Sequence, residues 1–148
     1  MTKKLVFTVL IVLAALTPAA CAPRVTSTSL PPEEGAAYAA EVDEIVENLL
    51  VGWSVCDHAM AIRDYVETWK VEANADDSGF QQECDEFIGI VGAYQSKVLD
   101  HVEDRPGISA RVVIYHVVFE NDPDVTLFVY FGIDDPNHRI VGLEFQDW

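Results

Sequence analysis

Few residue sets in this 148-residue chain have the types and spacing to do chemistry. Cys21 follows Ala19 and Ala20 at the end of an apolar run, where a freed thiol is an acceptor for fatty acyl groups. Cys56 and Cys84 are the remaining cysteines, open either to one disulfide or to two separate thiols. Asp57, His58, Tyr65, Tyr94, Tyr115, His116 and Tyr130 could move a proton, since an apolar pocket raises a carboxylate pKa or keeps a histidine neutral. Each also has a plain structural reading. Asp57 suits a helix cap, His58 an exposed helix start, and His116 a satisfied core or interface histidine. The tyrosines suit packing with a hydroxyl at the rim. There is no Gly-x-Ser-x-Gly nucleophile turn, no phosphate loop, no Cys-x-x-Cys and no zinc-type spacing. The acidic turns at Asp122 to Asp124 and Asp134-Asp135 lack the calcium-loop pattern. No catalytic set, metal or cofactor is therefore expected.

The start of the chain sets the compartment. Lys3 and Lys4 precede an apolar run from Leu5 to Leu16, broken by Thr8, and small residues follow. A basic start, an apolar stretch of about 12 residues and a small-residue cleavage site make a secretory signal. The stretch Leu16-Thr17-Pro18-Ala19-Ala20-Cys21 resembles a lipobox, with Pro18 where a larger aliphatic residue is usual. Residues 1–20 are expected to be a lipoprotein signal, with Cys21 acylated and anchored to the outer side of a bacterial membrane. Ordinary cleavage nearby, with Cys21 incidental, is the alternative. Residues 21–35 hold Pro23, Pro31 and Pro32 with several Ser and Thr, a composition expected to act as a tether. One domain, 36–148, follows.

Charge narrows the partners. The part from Cys21 onward carries 25 acidic against 7 basic residues, a net charge of −18. Nucleic acid needs a basic footprint and is excluded as a partner. A domain lying flat on anionic lipid is excluded for the same reason.

The elements follow from periodicity. Val42, Ile45, Val46, Leu49 and Leu50 predict a helix over 36–51, ended by Gly52. Ala59, Ile62, Tyr65, Val66 and Trp69 predict a second over 55–71, with Ser54 and Asp57 as its capping pair. Phe80, Cys84, Phe87, Ile88 and Val91 predict a third, opened by Ser78 with Gln81 and stopped by Gly92. Strands are predicted over 96–102, 110–120, 125–132 and 139–145, separated by four-residue turns that make them antiparallel. If Glu120 faces Val125, Tyr115 faces Tyr130 and Val117 faces Phe128. Tyr115, Tyr130, Leu143 and Phe145 then share one face, while Val112, Ile114 and Phe131 share the other. Both faces being apolar, a homodimer through the sheet is expected to cover the second one.

Short motifs carry a resemblance: Gly92-Ala93-Tyr94-Gln95-Ser96, Val112-Val113-Ile114-Tyr115, Phe119-Glu120 and Ile140-Val141-Gly142-Leu143. On these the chain resembles a family of small secreted bacterial and archaeal lipoproteins of no assigned function, within the nuclear transport factor 2-like superfamily. His58 stands where that family tends to an aromatic residue. The resemblance implies an α+β cone of three N-terminal helices on a curved four-stranded antiparallel sheet. The expected function is non-catalytic binding of a small apolar ligand or an envelope protein. The candidate pocket inside the cone is walled by Tyr65, Trp69, Tyr94, Tyr115 and Tyr130. The alternatives are a structural or assembly lipoprotein with a filled cone, and a small-pocket acid–base enzyme.

Overall fold

A computed structural model describes residues 26–70 and 77–148. Cys21 and the expected signal lie outside the described residues.

The first helix, α1, runs Pro32–Ser54 and is longer than its apolar stripe predicts. Pro32 opens it because a first-turn N–H has no helical partner to lose, and Glu33 and Glu34 complement the positive end of the helix dipole. Tyr38, Val42, Val46, Leu49, Leu50 and Trp53 recur at three- and four-residue intervals and are all buried. Gly52 does not end the helix. A Cβ there would lie 2.5 Å from the Ala61 backbone nitrogen and 2.8 Å from its Cα, so the glycine permits close packing of the following turn.

The second helix expected over 55–71 is broken. Only α2, His58–Ala61, and residues 67–70 are helical within its described part. Between them Tyr65 runs parallel to Ile140. The Val66 amide donates to the Ile140 carbonyl at 3.0 Å, and the Ile140 amide to that of Asp64 at 2.9 Å. Sheet-type bonds to a distant strand thus override a local helical pattern. Asp57 caps α2 by accepting from the Met60 amide at 3.0 Å. Its expected capping partner Ser54 instead accepts from the Tyr94 amide at 2.9 Å, tying the end of α1 to the sheet. The next long helix, α3, spans Asp77–Val91. Gly92 stops it at φ +80°, a conformation that strains any side chain, and a Cβ added there would lie 2.8 Å from the Cβ of Glu120.

The sheet has five strands rather than four. They are β1 Thr28–Ser29, β2 Tyr94–Arg105, β3 Ala110–Phe119, β4 Val125–Gly132 and β5 Ile140–Gln146. They lie in sequence order, every neighbour antiparallel, in an open sheet. β1 falls in the expected tether, so ordered structure reaches back to Thr28. Gln95, Asp100 and Val141 sit at register shifts, where an extra residue bends a strand.

The expected pairing of β3 with β4 needs correction by three residues. Val117 faces Val125 and Tyr115 faces Leu127. The strands leave an open loop of 120–124 instead of closing tightly after Glu120. An odd shift turns every β4 side chain to the other face. Val125, Leu127, Val129 and Phe131 therefore join Tyr115, Val117 and Phe119 beneath the helices, and all are buried. Phe128 and Tyr130 go to the outer face.

That outer face carries a polar chain. Arg105 donates to Glu103 at 2.6 Å and to the Tyr130 hydroxyl at 2.7 Å, and that hydroxyl donates to Glu144 at 3.3 Å. The Arg105 guanidinium lies over the Tyr130 ring, 5.2 Å from its centre. Val112 and Ile114, on the same face, are already buried within the single chain.

Candidate functional site

The five residues expected to wall one pocket do not share one, although Trp69 and Tyr130 line a common concavity of about 460 Å³ with Gly142 and Glu144. Tyr94 and Tyr115 sit with Lys97 at the α1–sheet boundary. Lys97 bridges Asp43, at 3.1 Å, and Glu47. The Tyr94 hydroxyl also donates to Glu47, at 3.0 Å. The Tyr115 hydroxyl is buried with no hydrogen-bond partner among the described residues. Burial raises the pKa of both tyrosines far above the ordinary value, and Glu47 and Asp43 add to it. This cluster fastens α1 to β2. Tyr130 lies on the opposite face of the sheet. Its pKa is raised by burial, against the lowering effect of Arg105.

Tyr65 and Trp69 line a different feature: a cleft of about 520 Å³ between α3, the 65–69 segment and the edge strand β5. Trp53, Phe87, Phe145 and Trp148 complete its aromatic wall. Each element contributes for a separate reason. Trp53 is the last buried position of the α1 stripe. The Tyr65–Ile140 bridge brings Tyr65 and then Trp69 to the edge of the sheet. The bulge at Val141 sets Leu143 opposite Val129 and Phe145 opposite Leu127. Phe87 stacks at a tilt on Phe145, ring centres 4.7 Å apart, and meets Trp148 edge-on at 5.2 Å. Tyr65 and Trp69 meet edge-on at 5.8 Å.

All three tryptophans of the chain line this one cleft. Trp53 is buried at its base, whereas Trp69 and Trp148 remain 40% and 52% exposed at its rim. Large aromatic surface left in water beside a concavity is a mark of a binding site. The charged part of the lining is Glu83, Glu86 and Glu144. The Tyr65 hydroxyl is pushed well up by burial, and Glu83 raises it further.

Sequence reasoning found Tyr65 and Trp69 but read Phe87 and Phe145 as packing residues and passed over Trp53 and Trp148. The available signal was Trp148 itself, an aromatic residue just past the last strand.

The acid–base candidates do not converge here. Asp57 is engaged as the α2 cap, His58 stacks on Phe80 with ring centres 4.6 Å apart, and His116 is exposed beside Asp124 at 3.1 Å. Cys56 and Cys84 are bonded, with Cα atoms 5.7 Å apart. No helix among the described residues is long and apolar enough to cross a membrane. The disulfide is consistent with an extracytoplasmic domain. Comparison with family models, curated proteins and solved structures finds no match to this chain.

Proposed function

We propose that this chain is an exported, membrane-tethered domain that binds a small, largely apolar ligand without transforming it. The observation that carries the reading is the gathering of all three tryptophans around one cleft of about 520 Å³. Its volume is in the range of small-molecule sites, and its wall is aromatic with a few polar groups. The signal-like start and Cys21 support the tether. The order of helices then antiparallel strands, with the Gly92-to-Ser96 motif at the junction, supports membership of the nuclear transport factor 2-like superfamily. In that frame the ligand sits at the open edge of the cone, beside β5, and not under α1.

A structural or assembly role is the second reading. It draws on the packing between α1 and the sheet, where Leu49, Tyr115 and Leu127 are all buried in one apolar core.

The test is to purify the chain carrying Cys21→Ser, extract any co-purified small molecule, and measure its rebinding. Trp69→Ala and Trp148→Ala, both at exposed positions, should weaken rebinding about tenfold or more, a loss of about 1.4 kcal/mol. Tyr115→Phe, outside the cleft, should leave it unchanged. Equal rebinding by all three variants would remove the cleft from the proposal.

A further inference from the structure

We infer that the ligand of the tryptophan cleft is an organic cation, an alkylated ammonium group seated against the indole faces. The inference rests on the binding function proposed above and adds the charge of the ligand to it. The charged residues among the described lining of the cleft are all glutamates: Glu83 and Glu86 from α3 and Glu144 from β5. None of the three lies within ion-pair distance of a described lysine, arginine or histidine. Glu86 accepts from Gln82 at 3.0 Å, and Glu144 from Gln146 and Tyr130. Glu144 is linked through the Tyr130 hydroxyl to Arg105, so the uncompensated negative charge of the cleft is that of Glu83 and Glu86. A neutral apolar ligand closing over the cleft would take water from these carboxylates and give nothing back. A cation repays that loss, and the faces of Trp69 and Trp148 attract it as well.

Two further observations fix the kind of cation. No group of three or more Asp, Glu, His or Cys among the described residues is arranged to hold a metal ion. A cleft of about 520 Å³ walled by rings is also far larger than a bare ion needs. The positive charge must therefore be carried on an apolar body. Alkylated ammonium meets this requirement, because its charge spreads over methyl groups and demands no directed hydrogen bonds. The whole-chain net charge of −16 draws cations toward the surface and should make association salt-dependent.

The experiment compares choline with 3,3-dimethylbutan-1-ol, its uncharged carbon isostere, by tryptophan emission of the purified Cys21→Ser chain. All three reporting indoles line the cleft. Choline should saturate the signal at about tenfold lower concentration than the isostere. Glu83→Gln and Glu86→Gln, both at exposed helix positions, should each erase several-fold of that preference while leaving the melting temperature in place. Phosphatidylcholine vesicles form a parallel arm. Displacement of choline by vesicles would identify a lipid headgroup as the source, and its absence a free cation. If the isostere binds as well as choline, the cation inference fails and apolar binding stands. If choline, the isostere and the neutral dye N-phenylnaphthylamine all leave the tryptophans unchanged, both fail together.

Discussion

Tyr38, Tyr65, Tyr94 and Tyr115 share one electrostatic condition. Burial favours the neutral phenol of each, and Tyr38 is pushed up to about 12. An unfolded tyrosine ionises near pH 10. A folded-state pKa above that value gives stability that is full below about pH 10 and is lost as pH rises toward the folded value. The melting temperature should therefore be level from pH 8 to about 9.5 and fall steeply above it. Tyr115→Phe, which removes a buried hydroxyl with no hydrogen-bond partner among the described residues, should make that fall shallower. A melting temperature level to pH 11.5 would contradict the burial argument. Two glycines give a paired prediction. Gly52→Ala drives a methyl into the Ala61 backbone and should cost about 1–3 kcal/mol in denaturant unfolding. Gly89→Ala, on α3 with nothing within 4 Å of its added Cβ, should stabilise by about 0.5–1 kcal/mol. At this scale the sequence was legible where a residue acts locally, as with Asp57 the cap and Gly92 the stop. It was not legible for Gly52, whose reason is the backbone of another element.

Among elements, the disulfide joins the turn after α1 to the middle of α3, across a sequence separation of 28. Constraining a loop of that length stabilises by roughly 3 kcal/mol on the chain-entropy account. Reduction, or Cys56→Ser with Cys84→Ser, should lower unfolding stability by that order. Non-reduced peptide mapping should recover the linked pair, and two separately alkylated thiols would refute it. α1 and α3 were legible because their apolar spacing is long and regular. The broken second helix was not, since the bonds of 64–66 to Ile140 lie 74 or more residues away in sequence. The strands were legible as segments but not in register. The turn after Phe119 is longer than its Asn-Asp-Pro-Asp sequence implies, and the three-residue error it caused moved Tyr130 off the core face. That shift took Tyr130 away, Tyr94 and Tyr115 stayed at the α1–sheet boundary, and of the five only Tyr65 and Trp69 line the tryptophan cleft.

For the whole molecule, export and anchoring are predictions about the start of the chain. Expression in a bacterial host with a labelled fatty acid should label the parent and not Cys21→Ser. Equal labelling would contradict acylation at that residue. Tethering would hold the acidic domain near a membrane with its cleft free to sample solutes. The outer sheet face, where a second copy was expected, carries the Arg105–Tyr130–Glu144 chain, whose Glu144 also lines the cleft. Ligand capture turns on whether the three indoles respond together. The most direct measurement follows their N–H proton resonances during titration with choline, in the parent and in Trp69→Ala. The account predicts saturating shifts of all three in the parent, with one midpoint. In Trp69→Ala the two remaining indoles should shift only at about tenfold higher concentration. Resonances that stay in place in the parent, or an unchanged midpoint in Trp69→Ala, would contradict it.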